Sequence, residues 1–229
     1  MLVSKLRATA AISIFGMSAL GSCSHGEPAR PHSHSTPQTT ACEPASGREG
    51  QPGCWVLATA PLEASTSPLY WHVYEFPSEE QAQQHASDTA KVIRAHQQSW
   101  LVAVADQQWR VTGGRLVASV GPLALLSSAP HTASFMGATF TPGMSSRIHT
   151  HPGPEAWVVL EGEQCLETPE GVTRGSAGDA MQVRGGIPMQ LFGGTAVRRA
   201  LVLILHPTAE PLGTPHRDWH PSGACLAAK

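Results

Sequence analysis

Two histidines and one glutamate near the middle of the chain have the types and the spacing of a metal-binding set. His149 and His151 are separated by one residue, and Glu155 follows the turn segment 152–154. In a strand, the two imidazoles would lie on one face together with Arg147, and the turn would return Glu155 to that face. Such a set binds a divalent cation from one side and leaves coordination positions open for substrate or water.

The alternative is that both histidines form hydrogen bonds in a polar barrel mouth and bind no ion. Glu155 favours the metal site, because a carboxylate buried there without a partner would cost several kcal/mol. The identity of the cation stays open among iron, manganese, zinc, nickel and copper. We also expect a hydrogen-bond acceptor to fix the tautomer of each imidazole. The candidates are Glu161, Glu163, Gln164 and Gln182.

The elements that would position these residues are short β-strands. After Pro130, seven short apolar segments alternate with Pro-Gly, Glu-Gly and Gly-Gly turns. This alternation of short apolar segments and turns is typical of a small antiparallel barrel or sandwich. The 22 glycines and 19 prolines of the 229 residues likewise disfavour an all-helical bundle. The sequence therefore predicts a mainly β fold.

One motif resembles the first motif of the cupin superfamily, which spaces Gly, His-x-His, Glu and Gly along two strands. Here Gly143 is followed by five residues, His149-Thr150-His151, three residues, Glu155, six residues and Gly162. The resemblance covers about residues 130–208. It implies a cupin-type double-stranded β-helix barrel with metal ligands at His149, His151 and Glu155.

The second cupin motif fits less well. It places Met189 where the family has its fourth ligand, a histidine. Three outcomes are open: an open three-ligand site with Met189 in the pocket wall, a His/His/Glu/Met site that selects copper, or a cupin that has lost tight metal binding. A thioether suits copper(I) better than manganese or iron(II).

The resemblance also implies a small-molecule pocket beside the metal. Trp157 and Met181 would form apolar walls of this pocket. Arg147 would bind a substrate carboxylate or, as an equal alternative, pair with a surface acid.

The N-terminal residues have the layout of an export signal. Basic residues precede the uncharged apolar segment 8–20, and Leu20-Gly21-Ser22-Cys23 resembles the lipobox of bacterial lipoprotein precursors. We predict a signal peptide over 1–22 with Cys23 as the lipidation site; simple cleavage that leaves a soluble exported protein is the alternative. Both outcomes place the protein in the cell envelope or periplasm, where only a lipid anchor would attach it to the membrane.

The remaining organisation follows from composition. Residues 23–53 are predicted to be a disordered tether, because from 24 to 53 there is no Val, Ile, Leu, Met, Phe, Tyr or Trp. Residues 54–128 are predicted to form a small α+β region of unknown role. The cupin barrel is expected over 129–210, and a C-terminal extension over 211–229.

Four cysteines remain once Cys23 is set aside, an even number for a compartment in which disulfides persist. Cys42 and Cys54 enclose a short loop and are the favoured local pair, which leaves Cys165 to pair with Cys225. The sequence does not choose among the three connectivities. For Cys165, a small buried apolar role is the alternative.

Composition excludes several function classes. The net charge of −2 and the charged fraction of 14% give no basic surface for nucleic acid. No apolar run reaches the roughly 20 residues of a membrane-spanning helix. We expect an exported, lipid-anchored protein that binds a divalent metal and a small ligand, as an oxygenase (dioxygenase) or isomerase. The alternatives are a non-catalytic metal- or ligand-binding envelope lipoprotein and a purely structural barrel; a homodimer is expected by analogy alone.

Overall fold

The computed structural model describes residues 43–44, 50–62 and 68–227. The predicted signal peptide, Cys23, Cys42 and most of the tether lie outside these residues. The strands and helices, in chain order, are β1 (Glu43–Pro44), β2 (Gly53–Leu62), β3 (Leu69–Phe76), α1 (Glu79–Gln83), β4 (Ala90–Ala95), β5 (Gln98–Ala105), β6 (Arg115–Leu123), β7 (His131–Phe140), β8 (His149–Thr150), β9 (Glu155–Glu161), β10 (Glu163–Thr168), β11 (Gly171–Ser176), β12 (Ala180–Val183), β13 (Gln190–Gly193), β14 (Arg198–Pro207), β15 (Thr214–Pro215) and α2 (Ala224–Ala227).

A six-stranded sheet forms the centre of the fold, with the order β1-β2-β7-β14-β9-β12. β7 and β14 pair antiparallel over their full lengths, from His131 opposite Pro207 to Phe140 opposite Arg198. β1 lies inside the predicted tether and pairs parallel to β2. The backbone hydrogen bonds of this strand pair can order residues 43–44 although that segment lacks large apolar side chains.

The two faces of β14 belong to different cores. Leu201, Leu203 and Leu205 point to the outer face and pack with residues of a four-stranded sheet, β4-β5-β3-β6. Val202 and Ile204 point to the inner face. Burial on both faces explains why residues 200–205 form a continuous apolar run and do not alternate.

The four-stranded sheet and α1 lie within the segment predicted as an α+β region. Ser78 caps α1, and its hydroxyl accepts a hydrogen bond from the Gln81 N–H at 3.3 Å. β2 comes from the same segment but pairs with β7 in the six-stranded sheet. The predicted domain limits stay a prediction, and this pairing joins the two segments through backbone hydrogen bonds.

The inner face of the six-stranded sheet packs against a three-stranded sheet, β11-β10-β13. Leu166 and Leu191 of the smaller sheet meet Met136 and Trp157 of the larger one in a single apolar cluster. The antiparallel strands of the two sheets thus enclose a barrel, and the predicted mainly β, barrel-type fold is confirmed.

A disulfide joins Cys165 of β10 to Cys225 of α2, with a Cα–Cα distance of 5.7 Å. This is the pair expected from the cysteine count. Cys54 is also disulfide-bonded, and its expected partner Cys42 lies outside the described residues. Within the described ranges, we find no helix of the length and apolarity needed to cross a membrane.

Candidate metal centre and ligand cavity

His149, His151 and Glu155 meet at one end of the barrel. Each offers a ligand atom, and these atoms all lie within 4.8 Å of one another. His149 is in β8, and Glu155 is the first residue of β9. The turn between them passes close to β14, because a Cβ on Gly153 would lie only 2.0 Å from the Leu205 carbonyl oxygen. Glycine is therefore required where the chain turns to bring Glu155 back to the histidines.

Backbone carbonyls fix both imidazole tautomers. Nδ1–H of His149 donates to the Arg147 carbonyl at 2.7 Å, and Nδ1–H of His151 donates to the Leu212 carbonyl at 2.5 Å. Each Nε2 then carries its lone pair toward the shared site. An acceptor thus fixes each tautomer as expected, but Glu161, Glu163, Gln164 and Gln182 are the wrong candidates, because nearer main-chain carbonyls take that role.

His151 and Glu155 face each other across the site. Nε2 of His151 and Oε2 of Glu155 lie 3.0 Å apart, and both residues are buried. Neither atom has a further partner among the described residues. When His151 is neutral, its Nε2 lone pair and the Glu155 carboxylate can bind one cation together, and the His/His/Glu donor set suits a divalent transition metal.

The electrostatics of the two histidines differ. Burial lowers the pKa of His149, and the neighbouring His151 lowers it further, against the opposing effect of Glu155. Burial also acts to lower the pKa of His151, but the adjacent Glu155 carboxylate outweighs it and raises that pKa above the ordinary value. Without a metal, the Glu155 carboxylate thus favours the protonated form of His151 more than water does for a free imidazole, and a metal ion would compete with that proton.

A cavity of about 330 Å³ adjoins these three residues. Its walls are mainly apolar and include Met136, Phe140, Trp157 and Val202. Residues 212–215 of the C-terminal segment form another wall, because β15 pairs with β8. Such a volume with few polar groups is typical of a site for a small organic ligand.

The other predicted site residues fall into two groups. Arg147 and Trp157 line the cavity, the first exposed and the second buried. Met181 and Met189 instead pack in the apolar cluster between the sheets and are absent from the described cavity wall. Met189 forms an antiparallel backbone bridge with His149, so the two residues are direct neighbours. Its role as a fourth ligand stays a prediction.

Sequence reasoning missed two contributions to the site. One is the C-terminal segment, which supplies the carbonyl acceptor of Leu212 and part of the wall. The other is Arg198, a buried cation in the same cavity. A signal for it was present, since Arg198 and Arg199 directly precede the apolar run 200–205, but the sequence does not show which of the two charges is enclosed.

No protein-family model matches the chain, and no curated protein matches it. Among solved structures, the DMSP lyase DddQ from Ruegeria pomeroyi DSS-3 is similar at 21% identity, with a TM-score of 0.33, over 36% of this chain and 42% of that one. An oxalate oxidase is similar at 21% identity, with a TM-score of 0.29, over 31% of this chain and 40% of that one.

A cupin superfamily protein from Desulfitobacterium hafniense DCB-2 is similar at 16% identity, with a TM-score of 0.30, over 32% of this chain and 67% of that one. The chain thus spans less than half the length of the lyase and the oxidase. These likenesses concern the fold and carry no statement about activity.

Proposed function

We propose that this protein binds a divalent transition-metal ion through His149, His151 and Glu155 and a small organic molecule in the adjoining cavity. The observation that carries the proposal is the convergence of three ligand atoms within 4.8 Å. Two of them, on His151 and Glu155, are buried and lie 3.0 Å apart with no further partner among the described residues. The cavity opens directly beside this set, which supports joint binding of metal and ligand.

The residues around the proposed metal have separable tasks. The carbonyls of Arg147 and Leu212 hold the imidazoles in the tautomer that can ligate. Trp157 and the other apolar walls exclude water from the ligand. A divalent cation held there would supply Lewis-acid or redox chemistry, as in an oxygenase or isomerase. A non-catalytic binding protein would use the same set without turnover.

Export to an oxidising compartment, with a lipid anchor at Cys23, is part of the proposal. The Cys165–Cys225 disulfide and the disulfide-bonded state of Cys54 support the export, because such bonds rarely persist in a reducing cytosol.

Elemental analysis of the full chain tests the metal site. We expect close to one divalent ion per chain in the parent and a loss of most of that metal in His151→Ala and Glu155→Gln, with unchanged far-ultraviolet circular dichroism. His220→Ala, which removes an exposed histidine, is the matched control and should keep its metal. Equal metal content in the parent and His151→Ala would refute the assignment.

A further inference from the structure

Arg198 is a buried cation that the metal site does not use. It is the first residue of β14, it lines the cavity together with Glu155, and its exposure is only 1%. Its Nε and Nη2 atoms are buried and have no hydrogen-bond partner among the described residues. No carboxylate in the described ranges forms an ion pair with it, although Glu155 acts on it through its charge.

A buried guanidinium without hydrogen-bond acceptors destabilises the fold unless a ligand supplies those acceptors. Burial lowers the pKa of Arg198 to about 9, with Glu155 acting in the opposite direction. The guanidinium carbon lies 4.9 Å from the centre of the Phe140 ring, and this contact attracts the charge but accepts no N–H bond directly. Arginines buried for structural reasons are normally paired, because an unpaired buried charge costs several kcal/mol.

The two unpartnered atoms have a defined geometry. Nε–H and Nη2–H lie on the same edge of the planar guanidinium and form a fork that matches the two oxygens of a carboxylate. A divalent cation at the proposed metal site would outweigh the single charge of Glu155, and Arg198 adds a further positive charge. The loaded cavity would therefore favour an anionic ligand.

The walls restrict that anion further. Phe140, opposite Arg198 in the sheet, and Met136 and Val202 farther along the same face are apolar. A fully polar anion such as phosphate would leave most of its oxygens against these walls without hydrogen bonds, which is unfavourable. A small organic carboxylate with an apolar body satisfies both the fork and the walls.

We propose that Arg198 anchors the carboxylate group of a small, mainly apolar ligand in this cavity. The inference rests on the proposed function, since it names the class of ligand that the metal-binding cavity takes. It assigns to Arg198 the recognition role that the sequence alone suggested for the exposed Arg147.

Calorimetric titration of the full chain with two pairs of probes tests this assignment. Benzoate and butyrate carry the carboxylate, and benzamide and butyramide are their uncharged counterparts. We expect at least one carboxylate to bind the parent about 10- to 100-fold more tightly than its amide, which corresponds to a charge-assisted pair of hydrogen bonds. Arg198→Met should remove this preference, and Arg198→Lys should retain only part of it because a lysine lacks the fork.

The neighbouring arginine provides the control. Arg199 points to the other face of the sheet, is partly exposed and pairs with Glu161, so Arg199→Met should bind the probes as the parent does.

Thermal unfolding separates a ligand-binding role of Arg198 from a structural one. An arginine that serves binding leaves Arg198→Met as stable as the parent or more stable, because an unpaired buried charge is removed.

Three results would overturn the inference: neither carboxylate binds better than its amide, Arg198→Met keeps the preference, or inorganic phosphate binds more tightly than both carboxylates. Metal content measured on the same samples keeps the two proposals apart. A metal-loaded protein without the Arg198-dependent preference refutes the anchor alone. A metal-free protein that shows the preference supports the anchor and refutes the metal site.

Discussion

Glu167 connects the barrel to the C-terminal segment, and its substitution by glutamine is a sharp test of that connection. The side chain is only 1% exposed. Its carboxylate accepts hydrogen bonds from the Ser222 hydroxyl at 2.8 Å, the Gly223 N–H at 3.1 Å and the Cys225 N–H at 2.7 Å. Burial acts to raise the pKa of Glu167, but these bonds, together with one from the Ser222 backbone, outweigh burial and leave that pKa below the ordinary value of 4.5.

The expected loss of stability in Glu167→Gln follows from the negative charge of the Glu167 carboxylate. A hydrogen bond to a charged group contributes about 1.5–3 kcal/mol, and Glu167→Gln removes the charge and turns one acceptor oxygen into a donor that faces other donors. Because these bonds are not additive, we expect a loss of roughly 2–4 kcal/mol in the free energy of unfolding at pH 7. Glu163→Gln, an exposed glutamate on the same strand, should change it by less than about 0.5 kcal/mol.

The pH dependence has a definite sign. The folded-state pKa of Glu167 is depressed, so the native state binds fewer protons than the unfolded state as the pH falls below the unfolded value near 4.5. The stabilisation is fully present above that pH and is lost as the pH falls through the folded value. In urea unfolding at decreasing pH from 7, the free energy of unfolding of the parent should therefore approach that of Glu167→Gln. A constant difference between the two down to the acid limit of folding would refute the reasoning.

Two further predictions concern the metal centre. Gly153→Ala should lower both the melting temperature and the metal content, since its Cβ would lie 2.0 Å from the Leu205 carbonyl oxygen. Gly178→Ala is the control for backbone strain alone, because a Cβ there meets nothing within 4 Å although φ is +96°. Met189→His should raise manganese or iron affinity at least tenfold in chelator competition, because residue 189 bridges His149 in the backbone ladder and paired residues share a face. Unchanged affinity would mean that this side chain only packs.

The local part of the metal centre could be predicted from the sequence. Strand alternation places His149 and His151 on one face, and a short turn returns Glu155 to it, so all three ligands come from seven consecutive residues. Their spacing carries the information, and no distant part of the chain has to be known. The Cys165–Cys225 pair could also be proposed from the sequence, because the four cysteines other than Cys23 allow only three connectivities.

The distant parts could not be predicted. The acceptor for His151 is the carbonyl of Leu212, 61 residues further along the chain, and a main-chain carbonyl has no residue type to reveal it. Arg198 is visible in the sequence, but its importance lies in being enclosed without a partner, and that depends on every wall of the cavity. The apolar packing of Met181 likewise depends on how the two sheets meet.

The two faces of β14 explain how the barrel tolerates such a cavity. On the inner face, an unpaired Arg198 costs several kcal/mol. On the outer face, Leu201, Leu203 and Leu205 are completely buried in the core shared with the four-stranded sheet, and each contributes roughly 1.5–3 kcal/mol relative to an exposed position. The outer contribution is of the size needed to offset the inner cost. The four-stranded sheet thus stabilises the same strand that holds the guanidinium ready for a ligand.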